Sequence, residues 1–185
     1  LNGFNYKKNI LIDAGNSGTF ARLLLGLLVK SPYQIKITGD RSLSKRDFQR
    51  IMDPLKQFGA DFESINKNNL PLKILGSNFL KPINYYEKRG SAQCKSAVIF
   101  AALNTPGKTI INAKKSRNHT ELFLKYLNLP IKIINKKKFD IIEIFGENQF
   151  KSFNYEIPGD ISSSAFFIVL TLLTQNSKLK IKNVN

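Results

Sequence analysis

The chain has 185 residues, of which 42% are hydrophobic and 23% charged, so its composition is that of a globular protein and excludes a disordered one. Its net charge of +16 comes mostly from lysines scattered along the sequence, which favours a solvated basic surface over a nucleic-acid groove. Its only cysteine, Cys94, excludes an intramolecular disulfide and indicates a reducing compartment, and its longest apolar stretch, 165–173, is about half of the ~20 residues that cross a bilayer.

Along the chain, hydrophobic periodicity predicts the order βαβαββ twice. The first copy consists of strand Ile10–Ile12, helix Ser17–Val29, strand Gln34–Thr38, helix Ser44–Phe58 and strands Phe62–Ile65 and Leu72–Leu75. The second consists of strand Ile83–Lys88, helix Ser91–Leu103, strand Thr109–Ala113, helix His119–Leu127 and strands Ile131–Ile134 and Phe139–Phe145. A third copy contributes strand Tyr155–Ile157, helix Ser162–Leu173 and strand Leu179–Val184.

The leading helix of each copy is almost wholly apolar, whereas the second helix carries charge on one face. A helix that is apolar all round is expected to be buried on every side. We therefore predict an α/β fold of repeated βαβαββ units, two complete and half of a third. In this fold the apolar helices lie inside and the sheets form the outer wall.

Each leading helix follows a turn rich in glycine and small polar residues. The turns are Gly15–Thr19, Gly90–Gln93 and Gly159–Ser164. Unpaired backbone N–H groups at a helix N-terminus, flanked by glycine and hydroxyl groups, favour a bound anion. The repeated pattern therefore indicates a protein that binds small phosphorylated or carboxylated molecules.

These turns and the segments near them resemble the EPSP synthase family (3-phosphoshikimate 1-carboxyvinyltransferases) of enolpyruvyl transferases. The matching segments, in order, are Gly15–Thr19 with Arg22–Leu24, Gly39–Arg46 with Pro54–Leu55 and Gly59–Ala60, Ser91–Ala97, Ser116–Glu121 and Pro158–Ser163. The resemblance is specific because five motifs follow in the same order over nearly the whole chain.

The resemblance implies two domains of three βαβαββ units each, with the active site in the cleft between them. Residues 1–155 would be part of the first domain, with units at about 4–81 and 82–150, and residues 156–185 would cross the hinge and begin the second domain. The chain would then be less than half of the enzyme.

The reaction that the resemblance implies transfers the enolpyruvyl group of phosphoenolpyruvate to the 5-hydroxyl of shikimate 3-phosphate and releases phosphate. It needs no metal and no organic cofactor. The complete protein would be a cytoplasmic monomer with no membrane or nucleic-acid partner.

The resemblance also assigns substrate-binding residues. Those for phosphoenolpyruvate are Gly18, Arg46 and Gln93, and those for shikimate 3-phosphate are Ser91, Ala92, Gln93 and Arg117. Arg46 is the leading candidate, because a planar guanidinium can hold phosphate or carboxylate with two parallel hydrogen bonds. The proton-transfer groups of the family fall outside this sequence, so we expect no catalytic residue in it and no turnover from it alone.

Several residues in these motifs have a second interpretation. Ser91 could simply cap its helix, and Lys95 could either add charge near the phosphate or be an exposed helix residue. Asp47 stands where the family commonly has proline, and it could pair with Arg46. For His119 and Cys94 we expect structural roles, the first at a helix start and the second as a small buried side chain.

Two other functions compete with this interpretation. UDP-N-acetylglucosamine enolpyruvyl transferases use the same donor, but the sequence Ser91–Ser96 argues against them. The +16 charge also allows a nucleic-acid-binding module. Such a module predicts clustered arginines and exposed aromatic residues, whereas the phenylalanines here fall mostly in apolar helix runs such as Phe166–Phe167.

Overall fold

A computed structural model describes residues 9–65, 67–147 and 151–184 of the chain. The chain divides into two units, Leu1–Gln149 (unit 1) and Phe150–Asn185 (unit 2). The predicted repeat boundaries near residues 4 and 150 lie outside the described residues.

The first half of unit 1 forms one four-stranded sheet with two helices. Its elements are β1 (Asn9–Asp13), α1 (Gly18–Leu27), β2 (Gln34–Thr38), α2 (Gln49–Phe58), β3 (Asp61–Ser64) and β4 (Leu72–Leu75). The strand order is β1-β2-β4-β3, with β1 parallel to β2 and β4 antiparallel to both of its neighbours. Alternate residues of β2, Ile35 and Ile37, point into the core, as the two-residue period of a strand requires.

The second half of unit 1 repeats this topology. Its elements are β5 (Asn84–Glu87), α3 (Ala92–Leu103), β6 (Lys108–Lys114), α4 (His119–Tyr126), β7 (Ile131–Asn135) and β8 (Phe139–Phe145). The strand order is β5-β6-β8-β7, with β5 parallel to β6 and the other pairs antiparallel. The two sheets confirm the predicted pair of βαβαββ units.

The leading helices α1 and α3 pack against each other at the centre of unit 1. A Cβ on Gly26 would overlap the carbonyl oxygen of Ala97, so the two backbones approach at a point that only glycine permits. Most of α3 is buried, as predicted. The same prediction is wrong for α1, where Phe20 is 46% and Leu27 is 49% exposed, because its neighbours in unit 1 cover only one of its faces.

The second helix of the first repeat starts later than predicted. Residues Leu43–Lys45 form a short 3-10 helix, Arg46 is extended with φ −82° and ψ 141°, and α2 begins at Gln49 instead of Ser44. The reason is local, since the Asp47 carboxylate accepts the Gln49 N–H at 2.7 Å and so favours a helix start at that point.

Unit 2 contains the helix α5 (Ala165–Leu173), preceded by turns at 161–164. The predicted strands 155–157 and 179–184 are not formed, and a single parallel bridge joins Gly159 to Val184. An isolated strand pair is marginal without further strands or a covering helix. None of the residues of α5 is buried, so its predicted burial is also wrong; within the described part of unit 2 nothing covers an apolar helix. Among all described residues, no helix is long and apolar enough to cross a membrane.

Candidate functional site

The first glycine turn connects β1 to α1 and is held by short-range hydrogen bonds. Gly15 has a φ of +53°, a left-handed conformation that glycine adopts without strain, and its N–H donates to Asp13 Oδ1 at 3.0 Å. Ser17 caps α1 by accepting the Phe20 N–H at 3.2 Å. These bonds fix Gly18 as the first residue of the helix.

Two guanidinium groups converge on Gly18. A Cβ added there would lie 3.0 Å from Arg46 Nη1 and 3.1 Å from Arg22 Nη1. The Arg22 guanidinium lies 5.2 Å from the centre of the Phe48 ring, a cation–π contact that orients it. Burial lowers the pKa of Arg22 below its ordinary value, and the nearby charges of Arg46 and Arg50 lower it further. An anion placed at Gly18 would relieve this repulsion between like charges.

The Arg46 guanidinium is exposed and is in no ion pair with any described residue. Asp47, which could have paired with it, instead binds the first N–H of α2. Asp47, which replaces the proline common in the family, therefore does not neutralise the charge of Arg46.

Asp40 ties the first glycine turn to the segment that carries Arg46. Its carboxylate accepts hydrogen bonds from Asn16 Nδ2 at 2.5 Å and from the Leu43 N–H at 2.7 Å. These hydrogen bonds, the one from Asn16 first, hold the pKa of Asp40 below its ordinary value of 3.8. Because Arg46 follows three residues after Leu43, this carboxylate helps to set the path by which Arg46 reaches Gly18.

The second glycine turn connects β5 to α3 and is organised around a buried carboxylate. Gly90 has a φ of +76°, and the Ser91 hydroxyl caps α3 by accepting the Cys94 N–H at 3.3 Å. Glu87, which is 5% exposed, accepts the N–H groups of Arg89 at 3.2 Å, Gly90 at 2.5 Å and Ser91 at 2.9 Å. These three N–H groups of the turn are therefore already bonded within the protein.

Gln93 joins the two turns. Its Oε1 accepts a hydrogen bond from Arg22 Nη1 at 2.8 Å, and its Nε2 donates to Thr19 Oγ1 at 2.6 Å. The three predicted phosphoenolpyruvate residues are therefore neighbours in the structure, since Arg22 contacts Gln93 and also lies beside Gly18 and Arg46.

A cleft of about 180 Å³ opens beside Gln93. It is lined by Thr19, Leu23, Ala92, Gln93, Ser96, Arg117, His119 and Thr120. Three of the four residues predicted for shikimate 3-phosphate, Ala92, Gln93 and Arg117, share this cleft. The fourth, Ser91, does not line it, and its hydroxyl makes the capping bond of the second interpretation. The substrate roles themselves stay predictions.

Lys95 occupies a position that neither interpretation anticipated. Its side chain is 2% exposed, its Nζ lies 2.5 Å from Glu121 Oε1, and it donates to the Arg117 carbonyl at 3.0 Å. The expected exposed position is therefore wrong, and the alternative role, a charge near the phosphate, stays a prediction. The available signal was the burial predicted for α3, because a lysine inside an apolar helix needs a buried carboxylate partner.

Glu87 and Arg22 were also missed as organising residues. Glu87 had a recognisable signal, because an acid precedes the helix-capping serine by four residues in both copies: Asp13 before Ser17 and Glu87 before Ser91. Arg22 has no such signal, because nothing in the sequence places its guanidinium against Gln93.

The remaining candidates behave as expected or carry no chemistry. Cys94 is buried, which confirms its role as a small core side chain, and His119 begins α4 at the rim of the cleft. Over residues 9–65, 67–147 and 151–184, no group of three or more His, Cys, Asp or Glu side chains could hold a metal ion.

Comparison with known proteins gives a consistent result. The family model described as EPSP synthase (3-phosphoshikimate 1-carboxyvinyltransferase) matches residues 1–185. The chain is similar to the 3-phosphoshikimate 1-carboxyvinyltransferase of Caldicellulosiruptor bescii, with 47% identity over 175 residues that cover 94% of this chain and 40% of the relative. It is also similar to that of Enterococcus faecalis, with 40% identity over 184 residues that cover 98% of this chain and 42% of the relative.

A solved structure of EPSP synthase from Acinetobacter baumannii resembles the chain with a TM-score of 0.77 and 34% identity, over 95% of this chain and 39% of that one. The similarity confirms the predicted enolpyruvyl transferase-like fold. The chain spans about two fifths of the length of the curated relatives that it matches.

Proposed function

The chain belongs to the EPSP synthase family, and from that membership we propose that it takes part in transferring the enolpyruvyl group of phosphoenolpyruvate to the 5-hydroxyl of shikimate 3-phosphate. In this reaction the hydroxyl gives up its proton as its oxygen bonds to C2 of phosphoenolpyruvate, and C3 takes up a proton. The bond from C2 to the phosphate oxygen then breaks, C3 gives up a proton, and inorganic phosphate leaves.

The observation that carries the proposal is the convergence of two guanidinium groups on a residue without a side chain. Phosphoenolpyruvate presents a carboxylate and a phosphate, and Arg22 and Arg46 both reach within about 3 Å of the Cβ position of Gly18. Guanidinium groups bind such anions with paired, charge-assisted hydrogen bonds. The missing Cβ leaves room for the anion to approach the backbone.

The adjoining cleft suits shikimate 3-phosphate. The N-terminus of α3 lies at Ala92, where a helix dipole favours a nearby negative charge by about 0.3–1 kcal/mol. Arg117, which also lines the cleft, supplies a full positive charge, and Gln93 lines the cleft while bonded to Arg22. The Ser91 hydroxyl can donate its own O–H to the phosphate while its oxygen accepts the Cys94 N–H, so the capping bond and a phosphate contact are compatible.

None of these groups transfers a proton in the proposed mechanism, so we expect the 185 residues to bind substrate without turnover. Their contribution is to hold the two anions side by side and to offset their charges, which lowers the entropic cost of bringing the reactants together.

Calorimetric titration of the chain with shikimate 3-phosphate, and separately with UDP-N-acetylglucosamine, tests the acceptor. We expect shikimate 3-phosphate to bind and R117A to weaken that binding at least tenfold, the loss of a charge-assisted hydrogen bond. Lys115, which lies in the same segment and pairs with Asp140, is the matched control, and K115A should bind like the parent. Preferential binding of UDP-N-acetylglucosamine would overturn the assignment.

A second experiment tests the reaction. The chain should replace the matching segment of the Enterococcus faecalis relative and give a hybrid that releases phosphate from phosphoenolpyruvate in the presence of shikimate 3-phosphate. The isolated chain should release none. A hybrid that melts as cooperatively as the relative but shows no turnover would contradict the proposal.

Cytoplasmic location, a monomeric complete protein and the absence of a nucleic-acid partner belong to the same proposal. The lone cysteine supports the first of these and the scattered lysines support the last. Binding of RNA or DNA that persists at high salt would contradict the last of these, because binding by scattered surface charge falls steeply with salt.

A further inference from the structure

A buried ion pair connects α3 to α4 behind the cleft. Lys95 Nζ and Glu121 Oε1 lie 2.5 Å apart, and the side chains are 2% and 3% exposed. Neither residue lines the cleft. The pair therefore does not contact a ligand there, although it lies directly beneath residues that do.

Stability does not explain this pair. Burying two charges costs about as much free energy as their attraction returns, and apolar replacements of similar volume are often neutral or stabilising. Here the balance is worse than usual, because Glu121 Oε2 is buried with no hydrogen-bond partner among the described residues. An unsatisfied buried oxygen of this kind calls for another explanation.

The contacts of the pair point to that explanation. Lys95 Nζ also donates to the backbone carbonyl of Arg117 at 3.0 Å. Next to the pair, Ser96 Oγ, one residue after Lys95, lies 2.7 Å from Thr120 Oγ1, one residue before Glu121. The segment that carries Arg117 is thus bound to the second turn of α3, the helix whose first turn carries Gln93.

We propose that Lys95 and Glu121 form a positioning pair, which holds the backbone at Arg117 so that its guanidinium faces the shikimate 3-phosphate cleft. Glu121 fixes the ammonium group, and the ammonium group fixes the Arg117 carbonyl. The inference rests on the proposed function, because it takes shikimate 3-phosphate to be the anion that Arg117 binds.

The test separates positioning from stability with the double substitution K95M/E121L. These side chains fill a similar volume without charge, so the melting temperature should stay close to that of the parent or rise. The affinity for shikimate 3-phosphate should nevertheless fall by about tenfold, the loss expected when a charge-assisted hydrogen bond is misplaced. Unchanged affinity in this folded variant would overturn the proposal.

A double-mutant cycle with R117A shows whether the pair acts through Arg117. In the R117A background, K95M/E121L should cause no further loss of affinity, and the melting temperature should again stay close to that of R117A alone or rise. Equal losses in both backgrounds would mean that the pair acts elsewhere, which also overturns the proposal.

If the double variant does not fold, two single variants decide the question. E121Q keeps an acceptor for Lys95 and should bind shikimate 3-phosphate within about threefold of the parent, whereas K95M loses the bond to the Arg117 carbonyl and should bind about tenfold more weakly. Equal binding by K95M and the parent contradicts the proposal.

The exposed pair Lys73–Glu63, 3.3 Å apart across two strands, provides the matched control. K73M/E63Q removes charge of the same kind far from Arg117 and should leave the affinity unchanged. A parent chain that binds no shikimate 3-phosphate would instead count against the proposed function, and the two failures are therefore distinguishable.

Discussion

The two glycine turns of unit 1 both start a serine-capped helix, but arginines gather at the first and a buried glutamate lies under the second. In each, an acid at the end of a strand lies four residues before the serine that caps the next helix. In the first turn the acid, Asp13, is exposed and accepts one N–H, while two arginines converge on the helix start. In the second, Glu87 is buried and accepts three N–H groups.

This difference shows what the repeated motif does and what it leaves open. The motif starts a helix, and residues arriving from other elements decide what the helix start can bind. Because Glu87 occupies the N–H groups of Gly90 and Ser91, an anion at the second turn must bind further along, at Ala92 and Gln93. At the first turn the positive charge comes from side chains, namely Arg22 and Arg46.

The largest expected effect comes from removing Glu87, the buried acid that organises the second turn. E87A should lower the free energy of unfolding by about 3 kcal/mol, since it leaves buried N–H groups without an acceptor. D13A, the matched change in the first turn, should cost less than about 1 kcal/mol because water can replace an exposed carboxylate. Urea denaturation measures both, and equal costs would contradict the comparison.

The next largest effect tests whether the first turn depends on guanidinium geometry. R46K keeps the charge but loses the paired hydrogen bonds, so phosphoenolpyruvate should bind about 2 kcal/mol more weakly, with little change in stability. R50K, four residues further along, is the control and should bind like the parent. Equal losses for the two variants would mean that only net charge matters.

Much of the architecture was predictable from the sequence, because both sheets and the helices of unit 1 follow simple periodicity. The sequence also identified Gly18, Arg46, Gln93 and Arg117 as candidates. The burial of Lys95 was predictable, but its partner Glu121 and the contact of Arg22 with Gln93 were not, since these partners lie on other helices. Burial of α5 was predicted wrongly, because periodicity shows that a helix is apolar but not which elements cover it.

A smaller effect should follow from making the two helix starts alike. Gly18 and Ala92 are the first residues of α1 and α3, so G18A gives the first turn the side chain of the second. The added Cβ would meet the ends of flexible arginines at 3.0 and 3.1 Å, which can shift, so stability should change by less than about 1 kcal/mol. Displaced guanidiniums should weaken phosphoenolpyruvate binding by about 1 kcal/mol. The reciprocal substitution A92G should leave phosphoenolpyruvate binding unchanged.

The smallest effect concerns pH and the carboxylate that guides Arg46. The pKa of Asp40 is lowered below 3.8 by its hydrogen bonds to Asn16 and Leu43, so the folded state favours the ionised form. Its contribution to stability is therefore present above pH 3.8 and is lost as the pH falls through the lower pKa of the folded state.

D40N should be less stable than the parent at neutral pH, and the difference should shrink as the pH falls below 3.8. N16A should shift the loss towards pH 3.8, because it removes the strongest of the hydrogen bonds that lower the pKa. Urea denaturation at several pH values checks both variants, and a stability difference independent of pH would show that Asp40 acts through packing and not through its charge.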